Sequence, residues 1–491
     1  MEKLLTVINN IQATFGASIV VPIMIFIVAL IMKVKVNKAM MSAFYAGIGL
    51  TGFGWVIGSF LPTATSVISK LVKNTGINLP IFDNGWQAGS VAAFGSTVGL
   101  AFFVIALILQ VILFTLKITR IFAPSNLWNN FGFMIWGSVA YVATGSWWLS
   151  IGLMSFMLLY SLVISEMLAD SWSDYYGVPN ATINSLHNTE MFIPAILLDP
   201  LWNLLGVNKV KMTPEAFKKR LGVFGEPATL GALLGFIIGF LANIKELNQL
   251  EAWGSILKFA ISLSAVMTIF PLITGVFAKA FVPLAEAMKI EETDELDGED
   301  TRFSKKRWFI GVDDGVGFGE PATIIAGTIL IPIMVVIAFI LPGNRTMPVV
   351  DLIALPFMIQ PFIALSRGNM LKAILNGIVW FSLGLYIASS PIAEWYTQAV
   401  SQYGPALPTG VVLITSFNLI ARPLNGLVFL AFVSQNPLFI GITVAIYLAG
   451  FLLLRTKRAS IWKYLIKMAD KNTGYVNESK EKIFLNIQSE E

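Results

Sequence analysis

The stretch FGEPATIIAGTILIPIMVVIAFILP, residues 318–342, sets a carboxylate, Glu320, and a proline, Pro321, at the mouth of an uninterrupted apolar run. A helix needs about twenty apolar residues to cross the hydrocarbon core of a bilayer, and this run supplies them. The same six letters, Phe-Gly-Glu-Pro-Ala-Thr, occur at 224–229, where Glu226 and Pro227 open another apolar run. An ionisable group at a spanning segment is costly and marks a candidate functional site. A proline at a helix start or break frees backbone groups that a polar substrate can use. Capping is the plainer alternative: proline suits the first helical turn, and a carboxylate suits the positive end of the helix dipole. The repetition tilts the balance towards a polar site.

Outward from that stretch, the whole chain has the same character. Of 491 residues, 56% are hydrophobic and 13% charged, about half the charged share of a soluble chain. Long apolar runs, and not ten-residue alternating segments, exclude a β-barrel. The chain reads as an all-α polytopic membrane protein. Its net charge of +4 sits mainly in loops and the tail, where basic residues set topology; no nucleic-acid partner is expected. There is no cysteine and one histidine, His187. That excludes disulfides, thiolate ligands and a cysteine nucleophile within the chain, and no metal or other cofactor is expected. No Walker A lysine motif is present. The first apolar run lacks a small-residue cleavage signature and reads as a span, not a signal peptide.

Spans fit 12–32, 39–61, 91–116, 127–146, 147–168, 222–242, 252–285, 324–342, 349–366, 369–389 and 437–455, about eleven in all. The span at 252–285 is long enough to be tilted or broken near Pro271 or Pro283. Glycines in 39–61 predict close helix packing. Residues 63–82 read as interfacial and 191–205 as re-entrant. The run 411–430, broken by Arg422-Pro423-Leu424-Asn425-Gly426, dips in and returns. The hydrophilic stretch 289–308 is a solvated loop. The basic, partly apolar tail reads as a surface helix on an anionic leaflet. Basic loops at 33–38, 117–120, 209–220 and 302–307 are consistent with an outside N-terminus and a cytoplasmic C-terminus.

Val21-Pro22-Ile23-Met24 resembles Ile331-Pro332-Ile333-Met334, and polar interruptions at 83–90 and 311–323 each precede a long span. Two inverted halves, 1–206 and 207–455, with a cytoplasmic tail at 456–491, account for this pairing. Four polar patches then lie at membrane depth or its edge: Asp83, Asn84, Trp86 and Gln87; His187, Asn188 and Glu190; Asp313, Asp314 and Glu320; and Glu226. Carboxylates and amides bond hydroxyls, and an indole covers a C–H face. None of the patches contains Lys or Arg, which favours a neutral polyol or sugar. His187 is either a proton-transfer group or a loop histidine bonded to backbone. Asp313 and Asp314 form either part of the polyol site or the ion site of a cation-coupled secondary transporter. Glu320, which shares its interruption with the acidic pair, is the stronger candidate of the two hexapeptide glutamates; Glu226 is secondary.

Several motifs carry a family resemblance: Tyr45-Ala46-Gly47-Ile48-Gly49, the interruption 83–90, Asn126-Leu127-Trp128-Asn129, Ala143-Thr144-Gly145-Ser146-Trp147, the first hexapeptide, Leu341-Pro342-Gly343-Asn344 and Arg367-Gly368-Asn369. In this order, over about residues 10–460, the chain resembles the EIIC membrane component of the galactitol branch of the bacterial phosphoenolpyruvate-dependent sugar phosphotransferase system. The ascorbate permeases are more distant relatives. The resemblance implies a plasma-membrane permease that delivers sugar to a phosphocysteine-bearing EIIB, itself supplied by EIIA. It also implies a homodimer in which a core domain moves against a scaffold domain like an elevator. The core would hold the hairpins near 83–90 and 311–323 and the His187 segment. His187-Asn188 stands where the galactitol family has His-Gly, and the second hexapeptide is not a general feature of that branch. Galactitol, another polyol or a sugar all fit the resemblance.

Overall fold

Apolar runs have one local solution in hydrocarbon, because each backbone N–H and C=O must be paired within the segment. The computed structural model describes residues 14–15, 17–75, 79–83, 85–210, 212, 214, 227–280, 282–287, 307–348, 351–403 and 413–472, and within them most of the runs are helices. Helices α1 (Ala17–Ile31) and α2 (Val36–Thr75) pack together, and α2 also packs on α10 (Pro227–Ala242) and α11 (Leu250–Ala278). A Cβ on Gly52 of α2 would stand 3.1 Å from Ile273 of α11, so that glycine sits in a close helix contact. At 40 residues, α2 is roughly 60 Å long. It carries straight through 63–75, which the sequence assigned to a separate interfacial segment. The polar residues there have partners: Lys70 donates to Asn243 at 2.7 Å and to Glu246 at 2.5 Å. Of the two expected break points, Pro271 lies within α11, and the break falls between α11 and α12 (Val282–Ala287), next to Pro283. Residues 289–306 and the basic loop 215–220 lie outside the described residues.

The other elements surround the polar interruptions. They are α3 (Trp86–Gly95), α4 (Thr97–Thr115), α5 (Phe131–Thr144), α6 (Trp147–Tyr176), α7 (Leu186–Thr189), α8 (Phe192–Leu197) and α9 (Asp199–Leu204). From the later part of the chain come α13 (Gly315–Phe318), α14 (Pro321–Ile340), α15 (Leu355–Met358), α16 (Gln360–Leu365), α17 (Met370–Ala388), α18 (Ile392–Tyr403), α19 (Pro423–Val433) and α20 (Pro437–Asp470). Among the described residues, α4, α6, α14, α17 and α20 are both long and apolar enough to cross a membrane. Residues 349–366, expected to span, instead form a short turn, Asp351–Ala354, then α15 and α16. Pro356 and Pro361 explain this, because each stands in the first turn of a new helix and lacks an N–H for the preceding one. The expected span 91–116 is also divided, at Ser96, whose hydroxyl caps α4 by accepting from Gly99 N.

The described residues are mostly helical, as expected, and add six short strands: β1 (Ile81–Asp83), β2 (Ile121–Phe122), β3 (Ala181–Ile183), β4 (Phe309–Val312), β5 (Thr346–Met347) and β6 (Leu413–Thr415). They pair in parallel as two sheets, β5-β1-β6 and β2-β4-β3. The central strand of each sheet comes from the other part of the chain: β1 lies between two late strands, and β4 between two early ones. Parallel strands buried on both faces read as apolar runs, and two to four residues are too few to display a period.

Helix α6 ties these parts together. Glu166, Asp170 and Asp174 recur every fourth residue and so share one face of the helix. They pair with Arg458 of α20, Arg307 at the entrance to β4, and Arg367 between α16 and α17. Arg307 reaches Asp170 at 2.6 Å, and Arg367 also reaches Asp470 at 3.0 Å. Beside them, burial lowers the Arg120 pKa to about 10, and neighbouring Arg458 adds to the effect. The tail helix docks one face on the protein. Helix α20 turns at Lys457, Trp462 Nε1 donates to the Glu166 carbonyl at 3.0 Å, and Trp462, Leu465 and Met468 are buried.

Asp170→Ala strips Arg307 of a buried partner, a change that costs about 3–5 kcal/mol. Asp470→Ala removes a partner that is 56% exposed, which costs about 0–1 kcal/mol. Thermal unfolding of the two variants in detergent is expected to show a large drop for Asp170→Ala and a small one for Asp470→Ala. Equal drops would show that the α6 ladder does not hold the fold.

Candidate functional site

Both polar interruptions are built as strand, turn, short helix, break and long helix. After β1, Gly85 takes φ +91°, and its N–H donates to Asp83 Oδ1 at 3.2 Å. After β4, Gly315 N donates to Asp313 Oδ1 at 2.8 Å. These are Asx turns, in which a short carboxylate holds the backbone two residues on. Helices α3 and α13 follow. Then the chain breaks and restarts, at Ser96 before α4 and at Glu320 before α14.

The two turns are anchored differently. Asp83 also accepts from Phe417 N at 3.1 Å and from Asp351 N at 2.7 Å. Asp351 in turn accepts from Trp86 N (2.7 Å), Ser416 Oγ (2.5 Å) and Asn418 N (2.9 Å). Both carboxylates are fully buried. Around β4 the anchors are amides. Asn129 Nδ2 donates to Asp313 Oδ2 at 2.6 Å, and Asn126 Nδ2 donates to Asn184 Oδ1 at 2.7 Å and to the Val312 carbonyl at 3.1 Å.

Next to Asp313, Asp314 meets the segment that holds the single histidine. Its Oδ2 lies 3.0 Å from His187 Nε2 and accepts from Asn188 Nδ2 at 2.9 Å. Its carbonyl accepts from Gln360 Nε2 at 2.5 Å, and Gln360 Oε1 accepts from Trp172 Nε1 at 3.1 Å. The His187 ring is 6.1 Å from Phe131, which stacks at 5.5 Å on Trp86. The first and second interruptions and the histidine segment thus converge on one aromatic and polar cluster. Glu190, three residues after His187, accepts from Trp380 Nε1 at 3.0 Å and from Asn425 N at 3.2 Å. Tyr160 donates to Asn425 Oδ1 at 2.5 Å.

Sequence reasoning treated Arg422 and Asn425 only as breakers of an apolar run, and it placed no cation near the patches. Arg422 is fully buried, donates from Nη2 to Asn418 Oδ1 at 3.0 Å, and lies 5.6 Å from the centre of the Phe381 ring. Through Asn418 it connects to Asp351 and so to the turn before Trp86. The signal that could have found it is an arginine within an apolar run, a functional-site indication in its own right. Asp351 and Gln360 were also missed.

Of the other expected residues, Glu320 accepts from Ala322 N (3.1 Å), Thr323 N and Oγ1 (both 2.8 Å), and Tyr175 OH (2.8 Å). That is the capping geometry weighed at the sequence level. Asn84 and Glu226 lie outside the described residues, as does the side chain of Gln87. Among the described residues no group of three or more His, Asp or Glu is arranged to hold a metal ion. Four buried polar atoms of the cluster have no protein partner among the described residues: His187 Nδ1, Asn188 Oδ1, Asn425 Nδ2 and Arg422 Nε. Two accept and two donate, which is the complement of a molecule bearing several hydroxyls.

Comparison with known proteins shows the family. The family model for EIIC-GAT, the sugar-specific permease component of the phosphotransferase system, matches residues 10–410. Galactitol-specific EIIC components of Escherichia coli K12 and of Escherichia coli O157:H7 are each 27% identical over 460 residues, covering 93% of this chain and 97% of theirs. A putative permease IIC component of Escherichia coli K12 is 25% identical over 395 residues, covering 80% of this chain and 86% of its own.

Asp83→Ala deprives the N–H groups of Gly85, Asp351 and Phe417 of their acceptor, at roughly 1–3 kcal/mol for each buried donor. The variant is expected to aggregate on size-exclusion chromatography in detergent. Asp313→Ala, which strips one backbone N–H and one side-chain amide, is expected to elute as the parent protein does. An Asp83→Ala protein that elutes and melts normally would show that the carboxylate does not hold the first turn.

Proposed function

The chain belongs to the EIIC-GAT family of sugar-specific permease components of the phosphotransferase system, and from that premise we propose that it carries a neutral, galactitol-like polyol across the bacterial plasma membrane. A phosphocysteine on EIIB, charged by EIIA, then phosphorylates the bound polyol, so this chain binds and positions while the partner supplies the phosphoryl group. The observation that carries this reading is the pair of unpartnered acceptors, His187 Nδ1 and Asn188 Oδ1, in the segment whose histidine ring packs on the Trp86–Phe131 stack, with two unpartnered donors on Asn425 and Arg422. Hydroxyls bond the polar atoms, and the C–H face of the polyol lies on the indole. In this reading His187, Asn188, Asn425 and Arg422 hold the hydroxyls, with Asp314 and Glu190 fixing those groups. Trp86 closes the site from the first hairpin, and Asp83, Asp313 and Glu320 shape the two hairpins around it.

Two halves, 1–206 and 207–455, exchange their first strands, and this supports a core in which both hairpins move together. The group made by α1, α2, α10 and α11 is the counterpart scaffold of an elevator, and a homodimer would hold two scaffolds still. The clustering of Arg120, Arg307, Arg458 and Arg367 at one end of α6 supports a cytoplasmic position for that end, with the tail on the same side and the N-terminus outside.

Asn188→Ala and Asn425→Ala are each expected to weaken galactitol binding to purified protein, measured by calorimetry, by roughly five- to a hundred-fold, the loss of one or two hydrogen bonds. In vesicles with cognate phosphorylated EIIB, uptake is expected to deliver galactitol phosphate. Accumulation of unmodified galactitol driven by a sodium or proton gradient would overturn the proposal and favour a cation-coupled carrier.

A further inference from the structure

The contact between His187 and Asp314 is a base-and-orienter arrangement, and substrate holding alone does not require one. Asp314 Oδ2 lies 3.0 Å from His187 Nε2 and also accepts from Asn188 Nδ2 at 2.9 Å. A carboxylate only accepts, so the ring proton sits on Nε2 and the lone pair is on Nδ1. Nδ1 is buried without a protein partner among the described residues. It faces the backbone of α5 at Gly132, where an added Cβ would come to 3.7 Å from it. The residue that orients the ring is itself fixed: the Asp314 carbonyl accepts from Gln360, and Trp172 holds Gln360. His187 is 3% exposed and Asn188 fully buried, so the pair is held rigidly by its surroundings. A histidine whose second nitrogen is held by a carboxylate, with its first nitrogen left without a protein partner, is the pattern of an activated hydroxyl's base.

We propose that His187 is the general base of the phosphoryl transfer, its Nδ1 taking the proton from the attacking hydroxyl of the bound polyol while Asp314 holds the ring and stabilises the imidazolium. This rests on the permease reading above. The polyol oxygen forms a bond to phosphorus as the sulfur–phosphorus bond of the partner's phosphocysteine breaks. The bonding pair leaves with sulfur as a thiolate, and the hydroxyl proton passes to Nδ1. Return of the proton from Nδ1 to water resets the dyad. Asn188 Oδ1, the neighbouring open acceptor, takes a second hydroxyl and so fixes which oxygen faces the base. His187 therefore acts on the chemical step beyond its share in binding, whereas Asn425 and Arg422 act on binding alone.

The test separates binding from transfer. Galactitol affinity is measured by calorimetry, and single-turnover formation of galactitol phosphate is followed on the full-length protein with phosphorylated cognate EIIB. His187→Gln keeps an N–H for Asp314 but has no basic lone pair. It is expected to weaken galactitol binding no more than Asn188→Ala does, and at saturating galactitol to transfer about 100-fold or more slowly. Asp314→Asn offers the ring an N–H, moves the ring proton to Nδ1, and is expected to show the same split. It also serves if His187→Gln does not fold. Parent-like transfer in either folded variant would overturn the dyad while leaving the permease reading intact. Loss of binding equal to loss of transfer in both would make His187 a substrate ligand only. Failure of the parent protein itself to form galactitol phosphate would overturn both.

Discussion

A backbone that breaks inside an apolar interior must find hydrogen-bond partners within the protein, and the two hairpins depend on meeting that constraint. A polar group buried without a partner costs several kcal/mol in hydrocarbon. At the first hairpin, Asp83 and Asp351 meet the requirement together. Each carboxylate accepts from backbone on the other's segment, and between them they hold the turn before α3, the turn after β5 and the loop after β6. Three stretches far apart in sequence become one unit. The parallel pairing of β1 with β5 and β6 extends the same unit. At the second hairpin the unit is β4 between β2 and β3, with Asn126, Asn129 and Asn184 in place of the second carboxylate.

How much of this was legible follows from the length of the signal. The long apolar helices α4, α14 and α17 were readable because about twenty residues of hydropathy outweigh any local exception. The polar interruptions were readable because carboxylates are rare at such positions, and the Asp83, His187 and Asp314 segments were singled out on that ground. The strands were not, since two to four residues buried on both faces show no alternation. Residues 349–366 misled for a related reason: the hydropathy is that of a span, but Pro356 and Pro361 restart the helix twice. Arg422 was missed because neutral neighbours made it look like a loop residue, when burial against Phe381 and Asn418 makes it part of the interior. In the tail, the pairing of Arg458 with Glu166 of α6 and the burial of Trp462, Leu465 and Met468 were not legible, because basic composition does not say which residue faces the protein.

The two copies of Phe-Gly-Glu-Pro-Ala-Thr also divide on physical grounds. In the second copy the glutamate is saturated by the first turn of α14 and by Tyr175, so its charge does local work at a helix start. A substrate hydroxyl would have to displace one of those bonds. The carboxylate that stays available to the site is six residues earlier, at Asp314, where one oxygen already collects both a histidine and an asparagine.

The difference between the two anchors explains why that carboxylate is available. A carboxylate can collect several N–H groups, so Asp83 and Asp351 lock the first turn but have little capacity left over. An amide both donates and accepts, so the chain Asn184–Asn126–Asn129–Asp313 satisfies the second turn with a single acid. The adjacent acid, Asp314, is thereby left out of the backbone's accounts and turned towards His187 and Asn188. Replacing either asparagine by a group that only accepts would require a new donor for Asp313 or for the Val312 carbonyl. The asparagines around β4 thus keep the histidine's partner free, and this links the folding of the second hairpin to the chemistry at its tip.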